Sequence, residues 1–323
     1  MSLSQGVRVK VPASTANLGP GFDTLGMALS LYSWIEIKAS EQTGFHLHGD
    51  QMGGLPTDKS NLIYKVAQMV FEEAGQSVPE LEISMYSEIP LTRGLGSSAS
   101  AIVGALAAAN ALIGSPLPDS KLFDMATNLE KHPDNVGASL FGGIITAVWD
   151  GAHADYMRIE PPADLGTLVV IPDFELATSK AREALPAQVS LADAVYNISR
   201  SSLMTAALCA GRLDLIRAAM QDRIHQPYRA PLVPGMSRIL TEAPDQGALG
   251  IALSGAGPTM IAFVDRKDPR VEGQLSTYLM ETMKSEGISA ACYQLNPVAE
   301  GVLLMDDINN KSFLDMIRGE VTS

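Results

Sequence analysis

Three glycine-centred segments hold most of the residues suited to chemistry. The first is Pro12-Ala13-Ser14-Thr15-Ala16-Asn17-Leu18-Gly19-Pro20-Gly21-Phe22-Asp23-Thr24-Leu25-Gly26, and the second runs from Pro90 through Leu91-Thr92-Arg93-Gly94-Leu95-Gly96-Ser97-Ser98-Ala99 to Ser100. The third is Leu253-Ser254-Gly255-Ala256-Gly257-Pro258-Thr259. The second says most. Its glycines let the backbone turn tightly and approach a ligand closely, and the residues after them open a helix whose first amides have no intrahelical partner. Such amides and the helix dipole together make an anion site. Small side chains at Ser97, Ser98, Ala99 and Ala101 keep the approach clear, and a serine hydroxyl suits Mg2+. The GK[ST] ending of a Walker A loop is missing. The bland alternative is a serine-initiated helix that packs closely through small residues, and spacing alone leaves the two evenly matched.

Gly94-x-Gly96-x-x-Ala99 also fits a permissive dinucleotide fingerprint, which needs a second strand ending in an acid about 20 residues on. Asp119 stands near that distance, but inside the turn-like SPLPDSK. The dinucleotide reading is therefore weak. Three glycine loops, each at the end of an element, are hard to explain by structure alone.

The elements that must position these loops mix strands with helices. Val7 to Val11 alternates with period two, as do Trp34 to Lys38, Phe45 to His48 and Leu81 to Tyr86, so each is predicted as a strand. Asn61 to Ala74 puts Leu62, Val66, Met69 and Val70 on one helical face, with Gly75 as its stop. An Ala-rich helix follows the second loop to about Ile113, and Ser120 to Glu130 is a further helix with Asp119 or Ser120 as N-cap. Gly142 to Val148 and Leu168 to Ile171 read as strands, 192–220 as mainly helical, and 251–264 as two short strands around a glycine turn. Tyr293 and Val302 to Met305 are late strand candidates. The order predicts an α+β fold. The segment 150–164 is the candidate boundary between a domain of residues 1–160 and one of 161–305, with a polar tail at 306–323.

Composition narrows the partners. The chain has 323 residues, 46% hydrophobic and 18% charged, and a formal net charge of −13, which disfavours nucleic acid because a phosphate-backbone binder needs a basic face. A nucleotide remains admissible, since local amides and a metal can override the net field. Cys209 and Cys292 suggest neither a disulfide framework nor a thiolate metal site. No apolar run reaches the roughly 18 residues that a membrane span requires. A soluble cytoplasmic protein is expected.

Taken together, the three glycine motifs resemble those of the GHMP kinases. The family's phosphate loop, Pro-x-x-x-Gly-Leu-Gly-Ser-Ser-Ala, is similar to Pro90–Ala99, and its C-terminal glycine motif is similar to Ser254–Thr259. The likeness runs in order from about Val7 to Val302. Galactokinases carry an acidic Gly-Glu-His sequence in the first motif, whereas Pro12–Asp23 resembles the homoserine kinase branch. Three segments agree with that branch: Glu130-Lys131-His132-Pro133-Asp134-Asn135-Val136, Thr178-Ser179-Lys180-Ala181-Arg182, and His225-Gln226-Pro227-Tyr228-Arg229.

The resemblance implies an N-terminal domain like the second domain of ribosomal protein S5, a ferredoxin-like C-terminal domain, and γ-phosphoryl transfer from ATP to the hydroxyl of L-homoserine. It implies that ATP lies against Pro90, Arg93, Gly94, Leu95, Gly96, Ser97, Ser98, Ala99, Ser100, Gly255 and Gly257, and that Ser98 (or Ser97) and Glu130 ligate Mg2+. Arg182 and Arg229 are the candidates for the acceptor carboxylate, because a guanidinium fork suits it. Asn17, Asp23, His132 and Asn135 are placed around its amino and hydroxyl groups. Thr178 supports Arg182 or faces the γ-phosphate, and Lys180 is a candidate to stabilise the transferring group. Asp134 is either an N-cap or a ligand. Mevalonate kinases have an aspartate where this chain has Asn135, which cannot act as a base; Asp23 as base and a base-free route both stay open. Asp23, Asn135 and Arg182 are thus the catalytic candidates. Threonine as an inhibitor and a homodimer are further implications. The competing readings are another GHMP kinase and a nucleotide- or amino-acid-binding homologue without turnover.

Overall fold

The computed structural model describes residues 6–49, 52–305 and 312–321. Its first half runs β1 (Val7–Ala16), β2 (Leu25–Ser40), β3 (Gly44–His48), α1 (Leu62–Glu73), β4 (Glu80–Ser87), α2 (Ser97–Leu112), α3 (Asp119–Glu130), α4 (Asp134–Phe141), β5 (Ile144–Trp149) and β6 (Ala154–Ile159). Then come β7 (Leu165–Pro172), α5 (Thr178–Glu183), α6 (Leu191–Cys209), α7 (Ile216–Ala219), α8 (Gln226–Arg229), α9 (Met236–Glu242), β8 (Gly250–Leu253), β9 (Met260–Asp265), α10 (Pro269–Ser285) and β10 (Ala290–Leu295). Strand β11 (Leu303–Met305) and helix α11 (Phe313–Val321) close the order. The expected α+β class is what these elements form.

One sheet has the order β11-β1-β2-β4-β3, with β5 paired to the start of β2 and β6 to β5. Its pairs are antiparallel except β3 with β4. The other sheet is antiparallel, in the order β10-β7-β9-β8. On the edge away from β1, strand β2 serves two partners because it is 16 residues long, β4 along its second half and β5 at Leu25–Met27. The register of β1 on β2 slips between Pro12 and Ala13, as expected where proline removes a ladder donor.

One core lies between the first sheet and α1–α4. Helix α2 nests against that sheet through small residues: a Cβ on Gly104 would meet Ile35 Cδ1 at 2.7 Å. A second core packs α10 and α9 on the other sheet. A third joins Leu18, Leu25 and Met27 to Val169, Ile261 and Phe263, so the two sheets share buried apolar contacts. Strand β7 is buried along its whole length, which its near-continuous apolar run anticipates.

The structure departs from the sequence reading at several points. Helix α1 is capped by the Asn61 side chain, which accepts from Ile63 N–H, and it buries Ile63, Val66, Ala67 and Val70; Leu62, one residue out of phase, is exposed. Helix α3 begins at Asp119 after Pro118, without a side-chain cap, so neither Asp119 nor Ser120 fills that role. The 150–164 segment contains β6, whose pairing with β5 overrides its Gly and Pro punctuation. The strand expected at Val302 to Met305 is present as β11, in the first sheet beside β1. Within the tail, α11 seats Phe313 and Ile317 on Trp34. Residues 306–311 of that tail lie outside the described residues.

Candidate active site

The three glycine loops converge and lock to one another. Ser14 N–H donates to Leu95 O (3.1 Å) and Gly255 N–H to Ala16 O (3.2 Å). The Ser254 hydroxyl donates to Gly94 O (2.5 Å) and meets Thr15 Oγ1 at 2.8 Å. These approaches require glycine: a Cβ on Gly94 would stand 2.3 Å from Ser254 O, and one on Gly96 2.1 Å from Ser14 Oγ. Gly96 sits in the left-handed region (φ 72°) at the start of α2, which aims that helix's unpartnered amides into a cleft.

Ser97, Ser98 and Ala99 line that cleft on one side, with Glu130 beyond them. Ser98 Oγ donates to Glu130 Oε1 at 2.5 Å, where the end of α3 meets the start of α2. Two oxygen donors beside a helix start with unpartnered amides are a fitting set for Mg2+, which takes few protein ligands and keeps phosphates and water for the rest.

The opposite wall is polar and strained. The first loop holds Asn17, Leu18 and Asp23 at positive φ (71°, 43° and 53°), each costing about 1 kcal/mol or more and sustained only by its surroundings. Asn17 supplies some of that support: its Nδ2 donates to Gly255 O (3.0 Å) and its Oδ1 accepts from Asp23 N–H (3.1 Å). Asp23 then receives Arg182 from α5 along both carboxylate oxygens, at 3.0 and 2.8 Å. This pairing outweighs the effect of burial and raises the Arg182 pKa. Arg229 of α8 is 2% exposed. Burial, and then the like charge of Arg182, push its pKa down to about 10. The Phe22 ring lies within cation–π reach of both guanidinium groups, 5.6 Å from Arg182 and 5.2 Å from Arg229.

The third wall is the turn between α3 and α4. His132 Nδ1 and Asp134 Oδ1 are 2.6 Å apart, and the same oxygen accepts from Asn135 N–H (2.7 Å). Burial alone lowers the His132 pKa, but the carboxylates of Asp134, Asp23 and Glu130 reverse it to a net rise. Ser14 Oγ donates to Asn135 Oδ1 (3.0 Å), and the Asn135 amide nitrogen has no hydrogen-bond partner among the described residues. Asp134 is the first residue of α4 rather than its N-cap. Ligand-type atoms of Asp23, His132 and Asp134 lie within 4.8 Å of one another, but Asp23 is already paired with Arg182 and Asp134 with His132.

The chain matches the family models for the GHMP kinases N terminal domain over residues 61–143 and GHMP kinases C terminal over residues 204–278. It is 46% identical over 281 residues to the homoserine kinase of Deinococcus radiodurans, covering 87% of this chain and 91% of that protein. To the homoserine kinase of Moorella thermoacetica it is 42% identical over 297 residues, 92% and 99% of the two. The chain belongs to the homoserine kinases. The fold agrees: the crystal structure of homoserine kinase from Cytophaga hutchinsonii superposes with a TM-score of 0.83 at 28% identity, covering 94% of this chain and 99% of that one.

For this homoserine kinase family member, the structure brings together Asn17, Asp23, Gly94, Gly96, Ser97, Ser98, Ala99, Glu130, His132, Asn135, Thr178, Arg182, Arg229, Gly255 and Gly257 around one cleft. Four residues expected at the nucleotide lie elsewhere. Pro90 and Arg93 open onto a separate groove, where Arg93 faces Asp173 at 3.4 Å. Leu95 is a core residue, and the buried Ser100 hydroxyl bonds Ser33 Oγ and Ser97 O. The reason is local: only one side of the loop and of the first helical turn faces the cleft. Lys180 is exposed on α5 and does not line the cleft. Arg182, expected beside Arg229 at the acceptor carboxylate, has its fork on Asp23 in this structure. Sequence reasoning missed Ser14 and Phe22, both inside a motif it had singled out, and gave no role to His225 in the third branch segment.

Proposed function

We propose that this protein transfers the γ-phosphoryl group of ATP to the side-chain hydroxyl of L-homoserine, giving ADP and O-phospho-L-homoserine. The observation that carries the reading is the juxtaposition, in one cleft, of an amide-rich helix start with a Ser98–Glu130 oxygen pair and an Asp23–Arg182–Arg229 cluster. One end suits a nucleotide phosphate and the other an amino acid head group. Identity of 40–46% to homoserine kinases over most of the chain supports the same acceptor.

Phosphoryl transfer passes through a loose transition state, so positioning and charge neutralisation dominate. In this reading the amides of Ser97–Ala99 and the glycine loops hold the phosphates. Ser98 and Glu130 would hold Mg2+, which supplies charge neutralisation at the phosphate oxygens when bound. Arg229 takes the acceptor carboxylate, while Asp23, His132 and the Asn135 amide surround its amino and hydroxyl groups. Asp23 presents both oxygens to Arg182, which favours a charge-holding role and a base-free route, with the proton leaving through phosphate or solvent.

The finer readings follow from the same assignment. L-threonine shares the head group and a side-chain hydroxyl, so it is proposed as a competitive inhibitor. Work in the cytoplasm, a homodimer, and a domain division near residue 160 are proposed with it. Phosphorus NMR of the product tests the chemistry: a phosphate ester resistant to hydroxylamine is expected. A hydroxylamine-labile acyl phosphate would place transfer on the carboxylate and overturn the reading. Chelation should abolish turnover and added Mg2+ restore it; turnover that survives chelation would contradict the metal assignment.

A further inference from the structure

His225, the residue before α8, is fully buried and touches two parts of the acceptor wall at once. Its Nε2 stands 2.7 Å from Gly19 O, in the strained first loop. A carbonyl only accepts, so Nε2 carries the proton. Burial lowers the pKa of this ring, and the neutral tautomer leaves Nδ1 bare as an acceptor. Arg229 Nη1 lies 3.4 Å from that nitrogen. Asp222, 3.7 Å from Nε2, takes the N–H groups of Ile224, His225 and Gln226 and fixes the backbone on which the ring is mounted. The remaining neighbours are Asp23, whose charge reaches the ring, and Phe22, whose ring centroid is 5.2 Å away.

The guanidinium of Arg229 has five N–H groups. Nε donates to Ala181 O (3.1 Å) and Nη1 to Gly255 O (3.0 Å), while the second Nη1 proton meets His225. Nη2 has no hydrogen-bond partner among the described residues, and it is not among the buried atoms sealed without one. Both fork geometries, side-on through Nε and end-on through Nη1, are thus spent on the protein. A carboxylate in the cleft can be met through Nη2 alone.

We propose that His225 is a positioning residue for the acceptor: it locks Arg229 in the rotation that offers only Nη2 to the carboxylate, and couples that arginine to the loop 17–23. The proposal rests on the reading of homoserine as acceptor. It makes acceptor affinity depend on a side chain that touches no substrate.

Three variants separate the bonds. His225→Phe keeps the ring and loses both bonds, and His225→Gln reaches Gly19 O but offers no acceptor at the Nδ1 position. His225→Asn places a carbonyl oxygen near Nδ1 and restores the acceptor for Arg229. Steady-state kinetics should show the Phe and Gln variants raising the homoserine KM about tenfold or more, with the ATP KM within about twofold. The Asn variant should recover homoserine KM to within about threefold of the parent. A Phe variant with unchanged homoserine KM, a parallel rise in both KM values, equal effects of Asn and Gln, or failure of all three to fold would each overturn the proposal. A parent enzyme that does not use homoserine overturns the underlying reading instead, so the two failures are distinguishable.

Discussion

Asp23 stands opposite Arg182 with both oxygens engaged, and its replacement separates the two roles open to it. In Asp23→Asn a single amide oxygen remains for a two-donor fork, so Arg182 loses its orientation. The homoserine KM is expected to rise about tenfold, with kcat falling by less than about tenfold, because no proton transfer is lost. A fall in kcat of about a hundredfold or more at unchanged KM would identify Asp23 as the base instead. Arg229→Lys is a complementary change. An ammonium cannot reproduce bonds to Ala181 O, Gly255 O and His225 together with a free N–H edge. Its homoserine KM should rise about tenfold or more while ATP binding, measured by calorimetry, holds within about twofold; weakening of both to the same extent would contradict a carboxylate role.

Among the elements, the start of α2 is the least tolerant. Gly96→Ala forces a Cβ into a φ of 72° and against the Ser14 hydroxyl. A loss of about 1–3 kcal/mol in denaturant stability is expected from strain and overlap, together with weaker ATP binding, since the helix amides would be re-aimed. A variant that binds ATP as the parent does would contradict the anion-site assignment. Helix α11 makes the opposite case. Phe313 and Ile317 are buried on Trp34, and no residue of the helix lines the cleft. Phe313→Ala is expected to cost about 3–5 kcal/mol and shift Trp34 emission to the red, with kcat unchanged. An unshifted spectrum would mean that the helix does not cover Trp34. Residues Phe313 and Ile317 are spaced i, i+4, yet the charged and polar residues around them made the tail read as polar. Helical spacing was present there without the packing partner that gives it meaning.

At the scale of the molecule, the cleft is assembled by contacts that span most of the chain, such as Asn17 with Gly255 and Arg182 with Asp23. The glycine loops could be read in the sequence because positive φ and close approach restrict the residue type, as at Gly94 and Gly96. Asp23, Glu130, His132 and Arg229 were legible through the segments around them. Their pairing was not: nothing local says that Arg182 turns inward to Asp23, or that Arg93, two residues from Leu95, turns away to Asp173. His225 stayed without a role because a histidine gains one only from what surrounds it, here Gly19 O more than 200 residues away in sequence. Strand β6 was hidden for a related reason, its partner β5 being the only cue that outweighed the Gly and Pro around it.

The central claim concerns which hydroxyl receives the phosphoryl group. It is tested most directly by ADP release with ATP and Mg2+ in the presence of L-homoserine, L-threonine, mevalonate or galactose, each in turn. The account predicts turnover on L-homoserine far above the others, with threonine suppressing it. Absence of turnover on homoserine while ATP still binds would contradict the assignment of this cleft.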